Sequence, residues 1–408
     1  MNYHQAYSLL KNIFNQTDSI IPIPENNLSI VNLDFTSEAV IHDEDFDFLK
    51  PAKKLFNALL KYYLRDNAYS KEYLFKSLDE SDENIIENLN FKYSIIRNHS
   101  NEKSKSVIFL FHGLNERSWH KYLPWAYELA LRTGKAIILF PLAFHMNRAP
   151  DFWSDPRLMK EVSRERINLL PDVAASSFAN SALSTRLQFS PGRFLISGIQ
   201  TFNDIITLMK IIRNDSHPCI SKNAEIDIFG YSIGAFLSEI LLMSNPNNYF
   251  GSSRMFLFCG GPTLDQMQPV SKAIIDSEAA LTLKNYFVDN YEKEFLRDDV
   301  MMEILDSYGE EGNNFKSMLE IKRMESFRDS KLHKLKDRLL AVPLIKDSVM
   351  SPKGLVNTFG KHSNEFVRIE DFPYEYPHEN PFPLNEKLKE AVNFSFNKTF
   401  ELAGSFLS

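Results

Sequence analysis

Cysteine and glycine are scarce in this sequence, and basic residues do not outnumber acidic ones. The 408 residues include 14 glycines and two cysteines, Cys219 and Cys259, which are too few for a disulfide framework and lack the spacing of metal ligands. Lysine and arginine (46) are outnumbered by aspartate and glutamate (53) and form no basic stripe. The sequence therefore predicts neither a disulfide-stabilised scaffold nor a protein that binds nucleic acid.

Long apolar runs are also missing. No run approaches the roughly 18 apolar residues of a membrane-spanning helix, and the start lacks the cationic head and apolar run of a secretion signal. We therefore expect no membrane span and a location in the cytoplasm. With 44% hydrophobic residues, the chain is long enough for one large α/β domain with insertions or for two domains.

Short apolar runs bounded by turn signals recur from about residue 91 onward. They suit strands buried on both faces, and they cover 91–97, 106–112, 135–142, 225–232, 254–261 and 339–347, with a further strand in FVRIEDF. Helical patterns alternate with them at 119–132, 202–213, 233–243 and 354–359, before a closing helix at 384–400. The alternation predicts an α/β fold with a mostly parallel sheet flanked by helices.

Residues 1–90 precede this alternation and predict a helical N-terminal extension. Amphipathic stretches at 5–14, 52–64 and 71–89 support the prediction, and the segment IPIPENN interrupts them. The predicted division of the chain is therefore an extension (1–90), a core (91–261 with 339–408) and an insertion into that core.

Two stretches interrupt the alternation, residues 143–200 and 262–338. Each follows the end of a strand, where insertions into an open parallel sheet lie over the ligand-binding edge. We predict that 262–338 is a helical lid, although a solvated helical appendage fits its charged composition as well. As a lid, it would turn its apolar residues toward the sheet, among them Ile274, Ile275, Phe287, Phe295 and Leu319.

The segment Gly230-Tyr231-Ser232-Ile233-Gly234 fits the pattern G-x-S-x-G, with an apolar strand before it and a helix after it. A sharp turn at this point forces the serine into a positive-φ conformation, and side chains two residues before and after would collide with neighbouring backbone. Gly230 and Gly234 avoid that collision. The pattern predicts that Ser232 is a nucleophile; an ordinary glycine-flanked turn is the structural alternative.

A serine nucleophile needs backbone donors for the oxyanion that forms during acyl transfer. The strand VIFLF ends in His112-Gly113-Leu114-Asn115, where the second donor loop is expected. We assign the backbone N–H groups of Leu114 and Ile233 to this oxyanion hole. His112 is expected to brace the loop rather than to act as a base.

A serine nucleophile also needs a base and an acid that orients the base. Asp347 stands at the end of an apolar strand and is the predicted acid, with Asp265 as its rival. His378 lies 31 residues later, in a proline- and aromatic-rich loop, and is the predicted base, with His362 as its rival.

These motifs, HGLN, GYSIG, KDSVMSP and the late His378, resemble those of the α/β-hydrolase family in the order serine, aspartate, histidine. The resemblance covers the chain from about residue 91 to the end, and Leu114 and Asn115 depart from the HGGG loop of some lipases and esterases. It implies an α/β-hydrolase fold and no metal or organic cofactor. The function expected is a serine hydrolase acting on an ester, thioester or related acyl bond; an acyltransferase or a non-catalytic binding protein are alternatives.

The substrate expected is a small acyl compound, without further definition. Several aromatic residues near the motifs are candidates either for an acyl pocket or for the core, namely Trp119, Phe144, Trp153, Phe236 and Tyr374. Arg148 and Arg157 are candidates to bind a substrate carboxylate, with salt bridges to neighbouring acids as the plainer alternative.

Overall fold

A mixed eight-stranded sheet forms the centre of the computed structural model, which describes residues 1–38, 75–289 and 305–408. The strands are β1 (Ile20–Ile23), β2 (Leu28–Thr36), β3 (Asn90–Asn98), β4 (Ser104–Phe111), β5 (Ala136–Leu139), β6 (Ile220–Tyr231), β7 (Met255–Phe258) and β8 (Leu339–Val342). Their order is β1-β2-β3-β5-β4-β6-β7-β8. The pairings from β5 to β8 are parallel, whereas β1, β2 and β3 join antiparallel.

Helices flank the sheet on both faces. In the described ranges they are α1 (Tyr3–Ile13), α2 (Ile86–Leu89), α3 (Leu123–Thr133), α4 (Pro156–Leu169), α5 (Ser181–Phe189), α6 (Arg193–Arg213), α7 (Ile233–Ser244), α8 (Ser277–Lys284), α9 (Glu310–Ser317), α10 (Glu325–His333), α11 (Pro352–Phe359), α12 (Ser363–Phe366) and α13 (Lys389–Leu407). The predicted α/β class with a mostly parallel sheet is confirmed.

Side chains alternate between two cores, one on each face of the sheet. In β4, Val107 and Phe109 belong to a core that α6 and α7 cover, whereas Ile108 and Leu110 belong to a core that α1, α3 and α13 cover. All four are fully buried. Burial on both faces explains why these strands appear in the sequence as continuous apolar runs.

The predicted helical character of residues 1–90 is wrong for β1 and β2. Helix α1 agrees with the first amphipathic stretch, but β2 pairs with β3 over nine residues and β1 adds an edge strand. Pro22 lies in β1, and an edge strand tolerates a proline because one side of its backbone needs no partner. The stretch at 52–64 lies outside the described residues, as do 71–74.

Two other elements differ from the sequence prediction. The strand expected in FVRIEDF is reduced to two bridges, between Val367 and Ala341 and between Glu370 and Leu344. Helix α6 begins nine residues before the predicted 202 and is long and apolar enough to cross a membrane, but 61% of its most apolar window is buried, as expected for a core helix.

Candidate active site

Ser232 lies at the turn between β6 and α7. Its φ of 57° and ψ of −123° place it in a conformation that L-residues rarely adopt. A Cβ on Gly230 would lie 2.7 Å from Ala235 Cα, and a Cβ on Gly234 would lie 2.6 Å from the carbonyl oxygen of Phe111. The two glycines are therefore required by close backbone packing, as the sequence predicts.

The structure brings Ser232, His378 and Asp347 together in one chain of hydrogen bonds. Ser232 Oγ lies 2.8 Å from His378 Nε2, and His378 Nδ1 lies 2.7 Å from Asp347 Oδ2. Because a carboxylate only accepts, Nδ1 carries the proton and Nε2 is left to accept the serine proton. All three side chains are at least 95% buried.

Backbone hydrogen bonds to the second carboxylate oxygen, Oδ1, hold the Asp347 side chain in place. Its Oδ1 accepts the backbone N–H groups of Val349 and Met350, each at 2.9 Å. The residue lies just beyond β8, so the end of the strand and the following turn both hold the carboxylate. This arrangement leaves Oδ2 for the histidine.

Tyr231, which was not among the predicted site residues, holds His378 in place. The two rings stack with centroids 5.4 Å apart and planes 12° from parallel, and the Tyr231 hydroxyl donates to the carbonyl oxygen of His378. Lys121 Nζ adds a hydrogen bond of 3.1 Å to the carbonyl oxygen of Glu379. The only sequence signal for Tyr231 was its position beside Ser232.

The rival acid and base make their contacts elsewhere. Asp265 accepts hydrogen bonds from Thr263 Oγ1 (2.6 Å) and Gln266 Nε2 (2.9 Å). His362 Nδ1 lies 3.7 Å from Glu365. Their side chains therefore bond residues other than Ser232 and His378. Within the described ranges, no group of three or more His, Cys, Asp or Glu residues is placed to hold a metal ion.

Cys259 is a buried thiol beside the same carboxylate, but it is not a competing nucleophile. Burial raises its pKa well above the ordinary value, and the negative charge of Asp347 raises it further. The thiol therefore stays protonated at neutral pH, and a protonated thiol is a poor nucleophile.

The backbone N–H groups of Leu114 and Ile233, the predicted oxyanion donors, have no hydrogen-bond partner among the described residues. The neighbouring N–H of Gly113 is occupied, because it donates to Tyr122 Oη at 2.9 Å. His112 braces the loop as expected. Its Nε2 accepts the N–H of Leu142 (3.0 Å) and its Nδ1 contacts the carbonyl oxygen of Gly113 (2.8 Å), while burial lowers its pKa well below the usual value.

Asn115 joins the two inserted segments above the sheet edge. Its Nδ2 donates to the carbonyl oxygens of Ala179 (2.8 Å) and Ala273 (2.6 Å), one from each segment. Nearby, the buried Arg166 of α4 pairs with Asp276 at the start of α8, at 2.7 Å and 2.9 Å. Asn115, one of the two residues that depart from the HGGG loop, therefore has a structural role, because it connects the two inserted segments.

An apolar cavity, the inner cavity, opens beside Leu114 and Ile233; it encloses about 530 Å³ of empty space, a volume that includes open solvent. Its wall combines α7, the elbow helix that follows the turn at Ser232, with both inserted segments. It is lined by Leu114, Leu142, His145, Phe194, Leu195, Ser197, Gly198, Ile233, Phe236, Leu237, Ile240, Phe315 and Leu319. Leu114 also lines a more polar and more open space, the outer cleft, whose lining includes Asn115, Arg117 and Glu379.

The apolar residues expected to face inward from 262–338 are mostly buried. Ile274, Ile275, Phe287 and Leu319 are each at most 4% exposed, while Phe295 lies outside the described residues. Only Leu319 of these lines the inner cavity, together with Phe315. The segment thus contributes part of the cavity wall; whether it moves as a lid stays a prediction.

The other substrate-contact candidates divide between cavity and core. Phe236 lines the inner cavity, whereas Trp119 and Tyr374 belong to the core on the opposite face of the sheet. Arg148 is buried and pairs with Asp204 at 2.8 Å, which is the salt-bridge alternative. Arg157 has an exposed side chain at the start of α4.

Among solved structures, several esterases are remotely similar to this chain. Carboxyl esterase 2 from the fungus Tuber melanosporum is 13% identical, with 78% of this chain and 80% of that chain covered and a TM-score of 0.42. An esterase from Pyrobaculum calidifontis is 12% identical (86% and 93% covered, TM-score 0.39), and a thermostable esterase from Pseudomonas putida is 10% identical (78% and 80% covered, TM-score 0.39). Identities and TM-scores this low are no basis for a function.

The chain's own architecture carries more weight. A mostly parallel sheet, a serine elbow between β6 and α7, and an acid and a histidine placed after later strands make this an α/β-hydrolase fold. No curated protein sequence matches the chain. A family model matches residues 1–408 in full, and the chain therefore belongs to that family, described as "Family of unknown function (DUF6051)".

Proposed function

We propose that this protein is a serine hydrolase that cleaves an ester, thioester or related acyl bond through an acyl-serine intermediate. One observation carries the proposal: the continuous hydrogen-bond chain from Ser232 Oγ through His378 to Asp347, with distances of 2.8 Å and 2.7 Å. A buried serine on a strained turn, aligned with a correctly protonated imidazole, has the geometry of an activated nucleophile.

In the proposed reaction, Ser232 Oγ attacks the carbonyl carbon while His378 Nε2 takes its proton. The carbonyl oxygen becomes an oxyanion and accepts hydrogen bonds from the N–H groups of Leu114 and Ile233. His378 then gives the proton to the leaving group, the bond between the carbonyl carbon and the leaving group breaks, and the carbonyl is restored as an acyl-serine ester. Water, deprotonated by His378, reverses the sequence and releases the acid.

The two spaces that meet at Leu114 suit the two halves of an ester. The inner cavity is almost entirely apolar and begins at the proposed oxyanion donors, so it fits an acyl chain. The outer cleft carries charged and amide side chains, including Arg117 and Glu379, and fits a polar leaving group. The proposal therefore expects activity to depend on acyl chain length.

Labelling with a fluorophosphonate probe, followed by mass-spectrometric mapping of the modified residue, tests the proposal. We expect label on Ser232 in the wild-type protein. The substitution Ser232→Ala should remove both the label and the hydrolysis of p-nitrophenyl esters, with kcat/KM falling by several orders of magnitude.

Ser330→Ala is a control. The exposed Ser330 hydroxyl donates to the carbonyl oxygen of Phe327 at 2.7 Å, and the residue lines neither the inner cavity nor the outer cleft. This variant should keep the label and the activity. A wild-type protein that takes up no label at Ser232 would instead favour a binding protein, and acyl transfer to an added alcohol in preference to water would favour an acyltransferase.

A further inference from the structure

His145 stands in the wall between two cavities. A second space, the side cavity, shares four wall residues with the inner cavity, namely Leu114, His145, Phe194 and Ser197. The side cavity continues past Phe144 and Trp153 and is also lined by the charged residues Asp82, Arg186 and Arg193. An acyl chain that enters beside Leu114 therefore passes His145 whichever cavity it fills.

The protonation state of this imidazole follows from its neighbours. Nδ1 lies 2.8 Å from the carbonyl oxygen of Ala143, which only accepts, so Nδ1 carries the proton. Burial lowers the pKa of His145 to about 4, which makes the ring neutral at pH 7. The lone pair is then on Nε2, which is a hydrogen-bond acceptor.

Nε2 of His145 is buried and has no hydrogen-bond partner among the described residues. A buried acceptor without a partner is costly, and most histidines of this site avoid that cost. His112, whose ring centroid is 5.4 Å away, uses both nitrogens, as does His378. Nε2 of His4 and of His362 is also unpartnered, but neither residue lines the inner cavity.

The chain holds His145 in place with a rare backbone conformation. Its neighbours Phe144 (φ 63°) and Met146 (φ 52°) both adopt positive φ without being glycine. Hydrogen bonds from Met146 N to Glu116 O (3.1 Å) and from Ala143 N to Thr201 Oγ1 (2.9 Å) fix the loop. The imidazole is therefore a rigid feature of the wall.

We propose that His145 Nε2 accepts a hydrogen bond from a hydroxyl on the acyl part of the substrate, so that hydroxyacyl esters are preferred over unsubstituted ones. The inference rests on the proposed function, since it names the acyl class for the same site. The inner cavity is almost entirely apolar, so an acceptor at a fixed position in its wall favours a chain with one donor at the matching position.

The test compares methyl hexanoate with methyl 2-, 3- and 6-hydroxyhexanoate, with proton release followed in a pH-stat. At least one hydroxy isomer should have a kcat/KM about tenfold or more above that of hexanoate. His145→Phe, which keeps a ring and removes the acceptor, should bring that ratio close to one. His145→Gln, which returns an acceptor oxygen, should restore part of it.

Phe194→Leu is the matched control, because Phe194 lines the same two cavities without a polar atom. It should keep the preference for the hydroxy isomer even where both kcat/KM values fall. The inference is overturned if no hydroxy isomer is preferred, or if the preference survives in His145→Phe. Fluorophosphonate labelling of Ser232 in the same preparations separates this failure from failure of the proposed function, which would leave Ser232 unlabelled.

Discussion

Asp347 uses its two carboxylate oxygens for different purposes. Oδ1 accepts two backbone N–H groups and shapes the turn after β8, whereas Oδ2 faces His378 Nδ1. An asparagine can keep the first set of bonds through its amide oxygen. Its NH2 group, however, would donate toward Nδ1 and favour the tautomer with the proton on Nε2, which cannot accept the serine proton.

We therefore expect Asp347→Asn to fold and to lose most of its activity. For the same change in a serine protease the loss in kcat is roughly 10⁴-fold, and a loss of that order is expected here. Asp265→Asn is the control, because the carboxylate of Asp265 accepts hydrogen bonds from Thr263 and Gln266 rather than from His378. Steady-state kinetics on one p-nitrophenyl ester ranks the two variants, and a larger loss in Asp265→Asn would move the acid role to Asp265.

Glu239 is a buried carboxyl on the elbow helix, seven residues after Ser232. Neither of its oxygens has a hydrogen-bond partner among the described residues, and burial raises its pKa well above the usual value despite the nearby Arg328. A raised pKa in the folded state means that its contribution to stability is present at low pH. That contribution is lost as pH rises through the folded-state pKa.

Glu239→Leu should therefore stabilise the protein, by about 1–3 kcal/mol at neutral pH. Arg328 keeps its own partners, since its guanidinium donates to backbone carbonyl oxygens such as that of Ser317 at 2.6 Å. Urea unfolding at pH 5 and pH 8 should show a wider gap between variant and wild type at pH 8. A variant less stable than wild type at pH 8 would show that the Glu239–Arg328 attraction outweighs the burial cost.

Which residues of the site could be predicted depends on how local their signal is. Ser232 is marked by two glycines whose need is steric and local, and Asp347 and His378 follow from strand ends and chain order. Tyr231 acts through a contact with His378, and Asn115 through contacts with Ala179 and Ala273; all three partners are far away in the sequence. No pattern within ten residues of either one encodes such a contact.

At the scale of elements, the two inserted segments form one layer. Arg166 and Asp276 are both fully buried and join α4 to the start of α8. Replacing 262–338 by a short linker would leave Arg166 as an unpaired buried charge, a loss of about 3–5 kcal/mol on top of the lost apolar contacts. Point substitutions in the cavity wall are therefore the cleaner test of specificity.

Phe315→Leu is such a substitution. Phe315 is 4% exposed and lines the inner cavity, so its truncation should reshape the wall that a long acyl chain contacts. We expect the ratio of kcat/KM for p-nitrophenyl octanoate over acetate to fall roughly threefold or more. Phe327→Leu, in α10 and away from the cavity wall, should leave the ratio unchanged. Equal losses on both esters would mean that the wall does not select chain length.

The sheet also shows where sequence patterns stop being informative. The central strands were predictable because burial on both faces leaves runs of apolar residues. β1 was not, because Pro22 and Pro24 resemble a chain break and only its place at the sheet edge makes Pro22 acceptable. β2 is anchored by pairing with β3 across more than fifty intervening residues, and local periodicity carries no information about such a partner.

At the scale of the whole molecule, burial of neutral histidines couples stability to pH. Burial lowers the pKa of His145 and of His217 to about 4, and it lowers the pKa of His112 well below its usual value. Each therefore binds a proton on unfolding once the pH is below about 6.5, the value for an exposed imidazole. Their contribution to stability is present above pH 6.5 and is lost as pH falls through the folded-state values.

We expect proton uptake by these three histidines on unfolding to lower the free energy of unfolding as pH falls from about 6.5 to 4, while Glu239 contributes in the opposite direction. Each proton taken up on unfolding contributes a slope of about 1.4 kcal/mol per pH unit. His145→Gln removes one of these titrating groups, so the slope measured for the variant should be lower by about 1.4 kcal/mol per pH unit. Of the two ring nitrogens that the variant lacks, Nδ1 bonds the carbonyl oxygen of Ala143 and Nε2 has no partner among the described residues. Urea unfolding curves at half-unit steps measure both slopes. Identical slopes would mean that His145 titrates alike in the folded and unfolded chain.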